Sequence, residues 1–133
     1  MKTVLFVCVG NAGRSQMAEA FFNRLANGRA RAISAGTKPA GAVDAQTIEV
    51  MREVGIDISR AKPKALTMEM LDQADRVVTL GCGVEGVCPA SFVETEDWQL
   101  EDPKGKSIEE VRRIRDEIMN RVGMMLDESK PHP

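Results

Sequence analysis

Residues 3–9 (TVLFVCV) form an unbroken apolar run rich in β-branched side chains. A strand covered on both faces of a parallel sheet has that pattern. Residues 10–13 (GNAG) break the run, and over residues 14–27 apolar side chains fall at Met17, Ala18, Phe21, Phe22 and Leu25. This is helical spacing. Residues 30–35 predict a second strand, closed by Gly36. Asp44 stands where it can cap a helix carrying Ile48, Val50, Met51 and Val54, with Gly55 to end it. Residues 59–64, with Pro63 among them, predict a loop, residues 67–74 a short helix, and residues 75–80 (DRVVTL) a third buried strand.

Residues 81–89 are rich in glycine and carry Cys82 and Cys88. Residues 91–94 predict a short fourth strand, and residues 94–106 an acidic, irregular segment holding Trp98 and the pair Asp102-Pro103. Ser107 followed by Glu110 is a capping box, opening a last helix with Ile108, Val111, Ile114, Ile118, Val122 and Leu126 on one face. Residues 129–133, which include His132, read as a loose tail. Strands alternating with helices imply a parallel sheet with helices on both faces, and right-handed crossovers restrict it to a small doubly wound α/β fold. The expectation is one domain over residues 1–133 with a four-stranded parallel sheet. Ligands of such sheets sit at the carboxyl ends of strands where the strand order reverses. The loop after the first strand is such a place, and it starts with Cys8.

Composition narrows the partners. The chain has 133 residues, 43% hydrophobic and 29% charged, with a formal net charge of -2 and no basic stripe. That balance argues against nucleic acid or an anionic membrane surface as a partner. No segment approaches the ~18 apolar residues of a membrane span. The opening run is too short for a signal peptide and lacks a small-residue cleavage site, so the cytoplasm is the expected compartment. Three cysteines, Cys8, Cys82 and Cys88, are too few and odd in number for a secreted disulfide framework, and they point to reactive thiols.

The loop Cys8-Val9-Gly10-Asn11-Ala12-Gly13-Arg14-Ser15 joins a strand to a helix. Glycines there let successive backbone N–H groups turn inward as an anion nest, and the following helix aims its positive end at the same spot. Arg14 adds a planar fork for two oxygens of a tetrahedral anion. Cationic surroundings of this kind favour the thiolate form of a cysteine, and a Ser15 hydroxyl bond would favour it further. A buried structural cysteine would account for Cys8 alone. It would not account for the arginine and serine arriving where strand turns to helix.

VLFVCVGNAGRSQMAEA resembles the active-site opening of the low-molecular-weight protein tyrosine phosphatase family, and more narrowly the arsenate reductases that share that fold. The likeness runs on through Ile33-Ser34-Ala35-Gly36, Gly55-Ile56-Asp57-Ile58-Ser59, Asp75-Arg76-Val77-Val78-Thr79-Leu80 and Trp98 to Asp102-Pro103. The resemblance implies Cys8 as nucleophile, Asp102 as general acid, and an arsenate or phosphate oxyanion bound by residues 9–15. A phosphatase has no use for Cys82 and Cys88. A reductase needs them, one to displace arsenite by forming a disulfide with Cys8 and one to take that disulfide over for an external thiol. Pro103 is followed by Lys104-Gly105-Lys106 and the chain has no tyrosine, so the aromatic wall of a phosphotyrosine slot is missing.

Arsenate reduction through a Cys8/Cys82/Cys88 relay is therefore the expected activity, with phosphotyrosine or aryl phosphate hydrolysis as the alternative. The expected partner is thioredoxin, a glutaredoxin-like protein or a small thiol, and no resident cofactor is required. Cys82 stands one place later than the matching cysteine of the best-known relatives, and Gly13 replaces a cysteine that many of them carry. A third reading, zinc or arsenite held by three sulfurs, is opposed by the cysteine spacing and the single histidine, His132. Some relatives hold a monovalent cation with residues matching Asn11, Glu19 and Ser34. The fourth position, an aspartate in those relatives, is Lys64 here, whose ammonium group can replace the cation outright, so the likeness does not extend to a potassium site.

Overall fold

The computed structural model describes residues 2–81 and 95–128. In chain order these form β1 (Lys2–Cys8), α1 (Arg14–Ala26), β2 (Ala30–Gly36), α2 (Ala45–Glu53), α3 (Met68–Gln73), β3 (Arg76–Thr79), β4 (Glu96–Asp97) and α4 (Ile108–Glu128). The strands lie in the order β2-β1-β3-β4 and every neighbouring pair is parallel. The chain leaves β1 for β2 on one side and then crosses to β3 on the other. The carboxyl end of β1 is thus the point where the winding reverses. Register sets Cys8 opposite Gly36, and Val7 opposite Thr79.

The alternation of β1 explains the unbroken apolar run. Val4, Phe6 and Cys8 face a core shared with Met17, Phe21 and Phe22 of α1, Val50 and Met51 of α2, and Val111, Ile118 and Val122 of α4. Leu5 and Val7 face the other way, onto Leu71 of α3 with Ala35 and Val77. Both faces of the central strand are dry, so no polar residue interrupts it. Phe6 meets Phe22 edge-on with ring centroids 6.0 Å apart, and Trp98 lies 5.7 Å from the same ring.

Most boundaries move by one residue. Asn27 closes α1 in the left-handed conformation, and Thr67 caps α3 by accepting the Met70 N–H at 3.2 Å. Ser107 opens α4 by accepting the Glu110 N–H at 3.3 Å, as a capping box requires. Two expectations change. The strand expected at residues 91–94 lies outside the described residues, as does the tail with His132. The described fourth strand is Glu96–Asp97, inside the segment expected to be irregular. Both residues are exposed, so no apolar alternation announces this strand. Edge pairing holds it: the Trp98 N–H donates to Thr79 O at 2.9 Å, and Arg76 Nη2 grips both Glu96 oxygens at 3.0 and 3.1 Å. Asp44 does occupy the cap of α2, but its side chain makes no capping bond. Its N–H reaches Ala12 O at 3.0 Å instead, tying α2 to the loop after β1.

Glu53 fastens α2 to α4. Arg112 grips its two carboxylate oxygens at 3.0 and 2.7 Å, and Arg115 Nη1 adds a bond of 2.8 Å. The Arg112 bonds, reinforced by Arg115, hold the Glu53 carboxyl below its ordinary value. A lowered carboxyl contributes stability above its ordinary range and loses it as pH falls through the lowered value. Glu53→Gln should therefore lower the melting temperature at neutral pH, by a few degrees at most for so exposed a pair. The wild-type and variant melting curves should converge in acid, below the lowered carboxyl value.

Candidate active site

The loop from Cys8 to Gly13 is held from outside by its carbonyls. Cys8 O accepts from Thr37 N–H at 3.1 Å, Val9 O from Lys38 N–H at 2.8 Å, and Gly10 O from Ala40 N–H at 2.9 Å. Asn11 O accepts from Gln16 Nε2 at 3.2 Å, Ala12 O from Asp44 N–H at 3.0 Å, and Gly13 O from Met17 N–H at 3.0 Å. In a trans peptide the C=O and the next N–H point opposite ways. Six successive carbonyls fixed outward therefore turn the N–H groups of residues 9–14 toward the bowl. The Asn11 N–H accordingly lies 3.2 Å from the Cys8 sulfur. An anion entering this bowl meets donors already in place.

Asn11 is the keystone and adopts the left-handed region, with φ 50°. It is fully buried, and its side-chain amide uses its whole capacity. Oδ1 accepts from Lys64 N–H at 2.9 Å and from Gln16 Nε2 at 3.0 Å, while Nδ2 donates to Ser15 Oγ at 2.6 Å and Ser34 Oγ at 3.0 Å. The Lys64 backbone N–H can only donate, so it fixes which end of the amide is oxygen. Ser15 Oγ then accepts a hydrogen bond from Asn11 Nδ2 and has its own hydrogen left for Cys8 Sγ, 2.8 Å away. The bond chain thus delivers a hydroxyl donor onto the sulfur.

Arg14 is 4% exposed, with Nη1 donating to Leu100 O at 3.0 Å and Nη2 lying 3.9 Å from Asp102 Oδ2. The arginine fork and the acid expected from the sequence meet at one rim. Asp102 Oδ1 accepts the Lys104 N–H at 3.0 Å, a turn around Pro103, and its side chain is half exposed. A Cβ on Gly13 would lie 2.8 Å from Pro103 Cγ, so the missing side chain there lets the Asp102-Pro103 pair close against the loop. Asp44 stands on the same rim. Burial and the charge of Asp102 push its carboxyl up, with Lys104 pulling it down.

The structure brings together Cys8, residues 9–15 and Asp102. Cys82 and Cys88 lie outside the described residues; Gly81, which precedes Cys82, has its N–H bonded to Asp97 Oδ1 at 3.2 Å. Among the described residues no cluster of His, Cys, Asp and Glu fits a metal ion. The residues matching a cation site do converge: Ser34 Oγ donates to Glu19 Oε1 at 3.1 Å, but Lys64 Nζ stands 3.6 Å from that same oxygen. An ammonium already on the carboxylate does not fit a second cation there.

Three contributors escaped the sequence reading. Gln16 is 1% exposed and cross-braces Asn11 to Lys62 O, 3.2 Å away. A buried amide two residues after the loop arginine was the available signal. Gly36 and Gly81 matter for what their missing side chains would strike. A Cβ on Gly36 would meet Val9 O at 2.5 Å, and one on Gly81 would meet Arg14 Nη1 at 2.5 Å.

Residues 3–131 match the family model described as low molecular weight phosphotyrosine protein phosphatase. An arsenate reductase of Staphylococcus haemolyticus is 39% identical over 91% of this chain and 93% of its own length. The solved structure of an arsenate reductase in a phosphate-binding state superposes with a TM-score of 0.85 at 39% identity, covering 96% of this chain and 98% of that one. A thioredoxin-dependent arsenate reductase of Corynebacterium glutamicum gives 0.80 at 37% identity, over 96% of this chain and 61% of its own.

Proposed function

Because the chain belongs to the low molecular weight phosphotyrosine protein phosphatase family, we infer that its Cys8 bowl reduces arsenate to arsenite, the activity for which its relatives near 40% identity are named. The observation that carries the reading is the set of six outward carbonyls with a Ser15 hydroxyl delivered to the sulfur. A thiolate inside a preformed oxyanion nest attacks a tetrahedral anion in line. Arg14 supplies the fork that follows the anion's charge into the transition state, and Asp102 gives the departing oxygen its proton.

The first step joins Cys8 Sγ to arsenic(V) and releases water. A Cys82 thiolate then attacks Cys8 Sγ; the sulfur–arsenic pair stays on arsenic, which leaves as arsenite, and two thiols have become one disulfide. Cys88 attacks Cys82, frees the Cys8 thiolate and leaves a Cys82–Cys88 disulfide. An external thiol returns the two electrons. Thioredoxin is the proposed donor, on the strength of the Corynebacterium relative. We place the enzyme in the cytoplasm, where such thiols are kept reduced, and take residues 1–133 as one domain. Among the described residues no helix is long and apolar enough to cross a membrane.

Loss of either relay thiol tests the function. Cys82→Ser should release no arsenite, because the Cys8 adduct lacks its displacing thiol. Cys88→Ser should release at most one arsenite per enzyme and stall as a Cys8–Cys82 disulfide, visible by mass spectrometry. In wild type, one equivalent of arsenate should leave Cys82 and Cys88 joined. Three free thiols after that treatment, with fast hydrolysis of a phosphopeptide, would hand the site to the phosphatase reading. Asp102→Asn should slow hydrolysis of aryl phosphates most for poor leaving groups and least for activated ones. An equal loss across the series would remove Asp102 as the acid.

A further inference from the structure

The hydrogen-bond chain that ends on Cys8 begins at a charge. Glu19 Oε1 accepts the Ser34 hydroxyl at 3.1 Å; Ser34 Oγ receives Asn11 Nδ2 at 3.0 Å; the same nitrogen donates to Ser15 Oγ at 2.6 Å, and Ser15 lies 2.8 Å from Cys8 Sγ. Glu19 is a carboxylate beneath a site built to hold anions, and uncompensated it would oppose both the thiolate and the bound oxyanion. Lys64 compensates it, with Nζ 3.6 Å from Glu19 Oε1. The backbone of the same residue donates to Asn11 Oδ1 at 2.9 Å, and its carbonyl accepts the Gly36 N–H at 2.8 Å. Lys64 is therefore anchored on the underside of the loop before its ammonium is considered.

We propose that Lys64 is a positioning residue for Cys8, its ammonium serving as a covalently tethered monovalent cation that neutralises Glu19 and makes the site independent of potassium. Its two contacts act on one chain. The backbone N–H fixes the direction of the Asn11 amide, and the ammonium holds the Glu19 carboxylate beneath Ser34, so that Ser34 donates downward and Ser15 donates to the sulfur. A diffusible cation would have to be bound from solution for the same effect, whereas a tethered one is present at every ionic composition. The side chains of Lys64 and Glu19 are 40% and 24% exposed, so solvent screens the pair and the expected effects are moderate.

The proposal rests on Cys8 being the anion-site nucleophile, and its test needs no arsenate turnover. The rate of Cys8 alkylation by iodoacetamide, followed by peptide mapping, reports the thiolate, and protection by inorganic phosphate reports the nest. Wild type should give the same rate and the same protection in potassium chloride and in choline chloride of equal ionic strength. Lys64→Ala should alkylate about three- to tenfold more slowly in choline, with weaker phosphate protection. Potassium, admitted to the vacated space, should restore most of the loss. Lys64→Arg, which keeps a charge, should behave as wild type. Lys64→Ala combined with Glu19→Gln should lose the potassium response, because the charge to be neutralised is gone.

A wild-type rate that rises with potassium would overturn the proposal, as would a Lys64→Ala rate within about twofold of wild type in choline. A Lys64→Arg variant as slow as Lys64→Ala would show that the shape of the lysine matters and its charge does not. Melting temperatures separate these outcomes from unfolding; should Lys64→Ala not fold, the arginine variant and the wild-type potassium comparison still decide. A wild type that fails to turn over arsenate yet follows this pattern would count against the reductase and leave Lys64 in its role.

Discussion

Cys8→Ser is expected to leave a folded protein that binds phosphate and turns over neither arsenate nor aryl phosphate. Sulfur at this position has two donors against it, the Asn11 N–H at 3.2 Å and the Ser15 hydroxyl at 2.8 Å, and a serine oxygen can inherit both. Cys8 is 2% exposed and lies on the core face of β1, so the smaller oxygen disturbs little packing. The outward carbonyl bonds do not involve the side chain, and the nest should survive intact. What disappears is the nucleophile, because a serine hydroxyl is hardly ionised at neutral pH, and among the described residues its partners would be the Ser15 hydroxyl and the Asn11 N–H, neither of them a base. The loss of turnover should be at least about 10⁴-fold, the scale found when a nucleophile is deleted from an otherwise complete site. Phosphate affinity measured by calorimetry should hold, since the outward-bonded backbone that forms the nest is unchanged. Measurable turnover in this variant would remove Cys8 as the nucleophile; lost phosphate binding would mean that the sulfur, not the backbone, organises the nest.

The sequence made some of this legible for definite reasons. β1 could be read because both of its faces are buried, and α1 because Met17, Phe21 and Phe22 line one face of it. The oxyanion loop could be read because cysteine, arginine and serine arrive where strand gives way to helix. β4 could not be read, since Glu96 and Asp97 bury nothing and are held by Thr79 and Arg76 from a neighbouring strand. The outward bonding of the loop was equally hidden. Four of its six donors are backbone N–H groups of residues 37, 38, 40 and 44, whose side chains carry no trace of the role. Asp44 shows the opposite failure: the side chain suggested a cap, and the structure uses its backbone instead. Composition records what side chains bury or ionise, but a peptide group can be assigned only from the fold.

Gly36→Ala should fold and yet lose most of its anion binding, although this glycine belongs to a strand and not to the loop. Its Cα lies so close to the loop that an added methyl would stand 2.5 Å from Val9 O and 3.0 Å from both Gly10 C and Asn11 N. All three are backbone atoms, so no flexible side chain can swing aside. Gly36 cannot retreat either: its N–H is bonded to Lys64 O at 2.8 Å and its carbonyl to the Leu66 N–H at 3.0 Å. The loop must yield, moving Val9 O off Lys38 and rotating the Asn11 N–H away from the sulfur. Misplacement of a reacting group by roughly 1 Å costs about 10²-fold in rate, and a fall of that order is expected in both arsenate and aryl phosphate turnover. Phosphate affinity should fall about tenfold or more, because several donors move together. The melting temperature should drop by only a few degrees, the usual range for one extra methyl in a packed region. Gly123→Ala supplies the control. It adds the same methyl to α4 where nothing lies within 4 Å, so it should raise the melting temperature slightly and leave activity unchanged. If Gly36→Ala kept phosphate affinity and turnover within about threefold of wild type, the nest would be far more compliant than its six outward bonds imply, and preorganisation could not be the source of its grip.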